Sequence, residues 1–158
     1  MSFLQRTLWL VISAVAGWAF FCALTFIHDV SSSPIGYWRS VNHPWSTIGL
    51  GLNILSRMYI PVFIVFAVPA CYSGRLPALL WKRALIGALL FAFGGIAWAL
   101  FFYGVLGALA SRPQDMEFDV WLWGIIMKPV FSFSVLLFPV GALVFSLLPS
   151  RSVARTDI

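Results

Sequence analysis

Charge is what this sequence has least of. Only 9% of its 158 residues are Asp, Glu, Lys or Arg, against roughly 25% in a soluble domain. A chain so poor in charge cannot keep a water-solvated surface, so lipid must cover most of it. Cysteine is also scarce. Cys22 and Cys71 belong to different apolar runs and to opposite ends of them, which excludes a disulfide, since that bond needs Cα atoms within about 7 Å. The same separation excludes paired-thiol redox chemistry and paired-thiol metal handling. The two histidines, His28 and His43, fall outside the apolar runs, which excludes a pair of axial haem ligands inside a bundle. No acidic residue lies within those runs to relay protons.

What the sequence has instead is long apolar stretches. Residues 8–27 form a charge-free run of 20, about 30 Å as a helix, which matches a bilayer core of about 30 Å. The run continues through Trp18-Ala19-Phe20-Phe21, past the small residues that a cleaved signal peptide would end on, so this helix is expected to be retained. Further helices are expected at about 48–71, 84–109 and 120–148. The fold class expected is an all-α integral membrane protein, a four-transmembrane-helix bundle forming one domain over residues 1–158. Its basic residues set the orientation. Arg6, then Arg75, Lys82 and Arg83 between helices 2 and 3, then Arg151 and Arg155 fall on one side. Arg39 and Arg112 fall on the other, with Asp29, Asp115, Glu117 and Asp119. The first side is expected to be cytoplasmic, giving both termini inside (N-in/C-in) in a bacterial inner membrane.

Two patterns bear on packing. Small residues recur along helix 3 at Ala84, Ala88, Ala92, Gly95 and Ala99, a spacing that lets another helix approach closely. That helix is expected to come from within the bundle; the other reading is a seam for a partner or a second copy. Trp18-Ala19-Phe20-Phe21 also resembles Trp98-Ala99-Leu100-Phe101, and Pro61-Val62-Phe63 resembles Pro129-Val130-Phe131. This has the form of a duplicated hairpin, although chance recurrence in apolar helices accounts for it more simply. Prolines within helices 2 and 4 orphan backbone carbonyls and bend the helices unless another group satisfies those carbonyls.

Few residues are candidates for chemistry. Arg57 is placed below the outer boundary of helix 2, where a cation costs about 2.5–3.5 kcal/mol on insertion scales at mid-membrane. Asn53 and Ser56 share its face at helical spacing. Asp29 or Asp119 would be its ion-pair partner; the alternative is snorkelling to lipid phosphates. Lys128 is expected to snorkel at the interface beside Trp121 and Trp123. The loop expected at 28–47 combines Tyr37, Trp38, Arg39, His43 and Trp45, side chains that suit a headgroup layer and equally suit protein recognition. Asp115, Glu117 and Asp119 read as a solvated acidic turn, because hard cations want six or more oxygens in a shaped cage. No metal site and no cofactor is expected.

The expected function is therefore non-enzymatic: a small membrane protein that binds a partner and assembles, regulates or protects a larger membrane system. One form of this is immunity or exclusion against a pore-former or transfer apparatus. An alternative is a small oligomeric transporter or channel moving an anionic or neutral solute past Arg57 and Lys128. A lipid-active enzyme using Asp29, Asp119 and His28 ranks last, because nothing at readable spacing activates a nucleophile. The partners expected are the lipid bilayer and either a protein or a second copy met through helix 3, with no nucleic acid.

Overall fold

A computed structural model describes residues 2–32, 44–105 and 128–150, and these are entirely helical apart from their short connections. Among the described residues there are four α-helices: α1 (Phe3–Ser32), α2 (Pro44–Ser73), α3 (Leu80–Ala99) and α4 (Lys128–Leu147). A π-helical turn, Leu100–Val105, continues α3. Three stretches are long and apolar enough to cross a membrane: Phe3–His28, Ser56–Ser73 and Leu80–Phe102. In α4 the apolar stretch among the described residues, Ser134–Leu147, is shorter.

The helices begin and end differently from the apolar runs. Residues 28–32 and 44–47, expected in a loop, are helical. Ser31 returns its hydroxyl to the His28 carbonyl at 3.1 Å, holding the last turn of α1. Pro44 opens α2, where a proline loses nothing because first-turn amides have no intrahelical acceptor. Lys82 and Arg83, expected in the loop, lie in the first turns of α3, leaving 74–79 as the connection. Gly74 starts that connection at φ 62°, the left-handed conformation in which helices commonly end. The expected helical segments at 106–109 and 120–127 lie outside the described residues.

Each helix packs beside its neighbours in sequence, and α1 also packs on α4. One aromatic cluster ties all four together. Tyr59 of α2, 2% exposed, lies 6.3 Å from Phe21 of α1, 5.6 Å from Phe63 and 6.2 Å from Phe91 of α3. Phe91 meets Phe145 of α4 edge-on at 6.1 Å. The Tyr59 hydroxyl donates to the Ala14 carbonyl of α1 at 3.0 Å, so a polar atom in the core is satisfied. Gly17 makes this approach possible: a Cβ there would strike the Tyr59 hydroxyl and Val144.

The tightest pair is α3 with α4. At their crossing Gly87 and Gly141 face each other, and a Cβ on either would collide with the other's carbonyl oxygen. Of the small-residue stripe, Ala88, Gly95 and Ala99 are buried and Ala84 and Ala92 half-buried. Gly95 lies against Leu137 of α4. The closest approach nonetheless runs through Gly87, off that stripe. The outer surface is apolar, with Leu4, Leu8, Val15, Ile64, Phe93 and Val135 among many exposed large side chains, as expected of a surface solvated by lipid.

Candidate functional site

Two arginines organise one end of the molecule. Arg6, near the start of α1, donates from Nη1 to the carbonyls of Tyr72 and Cys71 at 3.0 and 3.5 Å. Arg83, near the start of α3, donates from Nη1 to the Leu148 carbonyl at 2.6 Å. Each cation thus meets the C-terminal carbonyls of the helix that follows its own, where the helix dipole is negative. The separation in sequence is the same, 65 residues between Arg6 and Cys71 and 65 between Arg83 and Leu148. Around Arg6 the clasp is reinforced: the Thr7 and Tyr72 hydroxyls are 3.0 Å apart, Phe3 stacks on Tyr72 at 5.5 Å, and the Cys71 thiol donates to the Arg6 carbonyl at 3.6 Å. Arg6, Arg75, Lys82 and Arg83 consequently share this basic end.

The second polar locus lies further along α2, toward the opposite end. Ser56 is half-buried, donates to the Leu52 carbonyl at 2.6 Å, and accepts from the Trp18 indole of α1 at 3.4 Å. Arg57 follows it, and its side chain is exposed. The Trp98 indole of α3 donates to the Arg57 carbonyl at 2.9 Å. In a regular helix that carbonyl would accept from residue 61, but Pro61 has no N–H. The indole therefore supplies the hydrogen bond that the proline removes. Trp98 itself packs against Phe101 and Phe102, with centroids at 5.6 and 6.5 Å.

Arg57 lies sixteen residues before the end of α2, about 24 Å along the helix axis from the basic end. Among the described residues it forms no ion pair. Its side chain is exposed, and exposed Ile60 and Ile64 follow on the same helix. Of the residues Asn53, Ser56 and Arg57 that helical spacing groups together, Ser56 bonds to Trp18 of α1 and Arg57 is exposed, while the Asn53 side chain lies outside the described residues.

No family model, curated protein or solved structure matches this chain.

Other candidates are placed less fully. Asn53 and Trp45 belong to α2 and Lys128 opens α4; their side chains lie outside the described residues, as does that of Asp29 in α1. Tyr37, Trp38, Arg39, His43 and Asp119 also lie outside them. His28 is exposed. Cys22 and Cys71 are free thiols, the first half-buried and the second buried. Spacing alone missed the contacts of Arg6, Arg83, Trp18 and Trp98. For Trp98 a signal existed: an interior proline implies an orphaned carbonyl four residues earlier, and an indole on a neighbouring helix is a donor able to reach it.

Proposed function

We propose that this chain is a non-enzymatic, multi-pass protein of the bacterial inner membrane that binds a membrane partner through the outward face around Arg57. The partner is one whose assembly, regulation or exclusion the chain governs. Four helices cross the bilayer in this reading, and the basic end lies in the cytoplasm with both termini. The clustering of Arg6, Arg75, Lys82 and Arg83 at one end supports that orientation through the positive-inside rule.

One observation carries the binding proposal: Arg57 is exposed on the outside of the bundle while the backbone beneath it is pinned by Trp98 at 2.9 Å. A cation held at the lipid-facing surface on a rigid helix is matched by a carboxylate on a partner helix, an interaction strengthened where water is scarce. The described polar side chains of the interior support the same view, since Tyr59, Ser13, Trp18 and Ser56 bond to helix backbone or to one another. They act in cohesion. In a single copy Arg57 faces away from the centre of the bundle, so a solute path past it would require a second copy. That makes transport the weaker reading.

Purification in mild detergent, with mass spectrometry of the co-purifying proteins, tests the proposal. The expected result is a defined membrane partner retained by the natural chain and lost from Arg57→Gln, with both proteins equally stable. Retention of the same partner by Arg57→Gln would remove Arg57 from the interface. A monodisperse protein without any partner would reject the binding function.

A further inference from the structure

We propose that the basic end of this molecule binds an anionic phospholipid, with the headgroup phosphate at Lys82 and an acyl chain along the outer ridge of α3. The sequence has no acidic residue between Asp29 and Asp115, yet Arg6, Arg75, Lys82 and Arg83 gather at this end. The fold itself answers two of these charges. Arg6 lies on the closing carbonyls of α2 and Arg83 on that of Leu148 beyond α4, both at negative helix ends.

Arg75 and Lys82 have no such answer. Both are exposed, and among the described residues neither meets a carboxylate. Among the described residues the Lys82 ammonium lies over the neighbouring Trp81 ring, at 5.5 Å. Lys82 also stands in the first turn of α3, which holds no acidic residue and whose cap residue, Leu79, makes no side-chain hydrogen bond to it. That turn is the positive end of the helix dipole, where a folded helix ordinarily places an acid. The Arg83 Nε atom nearby is buried with no partner among the described residues. Among the described residues, positive charge therefore accumulates at one locus without a carboxylate to answer it.

The apolar surface beside it decides for a lipid over a free anion. Trp81, Leu85, Leu89 and Phe93 are 60, 47, 42 and 66% exposed. At four-residue steps they form one ridge of about 18 Å, running away from the basic end. A phosphate held at Lys82 leaves its glycerol and acyl chain beside this ridge, with the Trp81 ring at headgroup level as interfacial tryptophans are. Arg75 adds to the field that attracts the headgroup. One phospholipid answers both the charge and the exposed ridge, whereas inorganic phosphate answers only the first.

Native mass spectrometry of the full chain in mild detergent tests this, with phosphatidylglycerol or phosphatidylcholine of identical acyl chains added at matched concentration. The natural chain should retain phosphatidylglycerol in preference. The Arg75→Gln/Lys82→Gln double variant should bind it about thirtyfold more weakly, from the loss of two cations near a charged surface. Binding of phosphatidylcholine should not change. Both substitutions are at exposed positions, and circular dichroism checks that helicity is kept. Inorganic phosphate at the same concentration should displace none of the bound lipid. Equal retention of the two lipids, an unchanged preference in the double variant, or displacement by inorganic phosphate would each overturn the assignment.

Discussion

The indole N–H of Trp98 occupies the place of the amide that Pro61 lacks, donating at 2.9 Å to the carbonyl of Arg57. A helix in lipid has no water to satisfy an orphaned carbonyl, so a proline is tolerated where a neighbouring group re-satisfies it. Here the group comes from another helix. The bond therefore couples α2 to α3 at the level of the one exposed cation described on α2.

That coupling has a thermodynamic signature. Trp98→Phe should destabilise the protein by about 0.5–2 kcal/mol, the range for an interhelical hydrogen bond in a membrane protein together with an unpaired carbonyl. Pro61→Ala restores the missing N–H, and in that background Trp98→Phe should cost much less. Reversible unfolding in mixed detergent micelles measures all four corners of the cycle. Equal costs of Trp98→Phe with and without Pro61 would show that the indole has another role.

The glycines of the helix crossings should rank by what an added methyl would meet. At Gly87 it strikes the backbone carbonyl of Gly141, which cannot swing aside. At Gly17 it meets Val144 and the Tyr59 hydroxyl, and at Gly94 only the half-buried ring of Phe66. Overpacking typically costs about 1–3 kcal/mol. Gly87→Ala should lie at or above the top of that range, Gly17→Ala within it, and Gly94→Ala near the bottom. The order of thermal midpoints is the measurement, and a Gly94 variant less stable than the Gly87 variant would contradict the packing.

Arg6 should guard Cys71. The thiol is 1% exposed, hydrogen-bonded to the Arg6 carbonyl, and its own carbonyl accepts from the Arg6 guanidinium. Losing a hydrogen bond from a charged group costs about 1.5–3 kcal/mol, enough to increase local opening roughly tenfold or more. In a Cys22→Ser background, Arg6→Gln should therefore accelerate maleimide labelling of Cys71 by about that factor. Arg83→Gln, which loosens the other hairpin, should leave the rate almost unchanged. Equal acceleration by both variants would mean that the two clasps open together.

How much of this was legible in the sequence depends on the kind of interaction. Each of the four apolar runs overlaps a helix among the described residues, as continuous hydrophobic stretches of this length favour. Their ends were less legible: hydropathy stops at His28, but the helix runs on to Ser32, because i→i−4 backbone hydrogen bonding does not depend on side-chain hydropathy. The small-residue stripe marked the correct helix for close packing but not the contact, since Gly87 and Gly141 meet one position off it. Arg57 was singled out from its depth alone, and the structure exposes it while turning Ser56 away, which spacing along one helix cannot reveal. The hairpin resemblance rests on Trp18 and Trp98 and on the Pro61 and Pro129 segments, with chance recurrence the simpler account. Yet both indoles reach α2, whereas a true repeat would send Trp98 to α4. The matching contacts are those of Arg6 and Arg83, whose separations from their acceptors no local motif records.

Orientation is the expectation on which the location of the basic end depends. Arg75 lies exposed in the 74–79 connection, and its substitution disturbs no described hydrogen bond of its side chain. With Cys22 and Cys71 replaced by serine, a cysteine introduced by Arg75→Cys should be silent to a membrane-impermeant maleimide in intact cells. It should react once the membrane is permeabilised. The positive-inside bias sums over the cations near the span ends, so removing Arg75 alone leaves Arg6, Lys82 and Arg83 to hold the topology. Labelling in intact cells would place the basic end outside. The lipid at Lys82 would then have to come from the outer leaflet, and Arg57 would face a partner from the cytoplasmic half of the membrane.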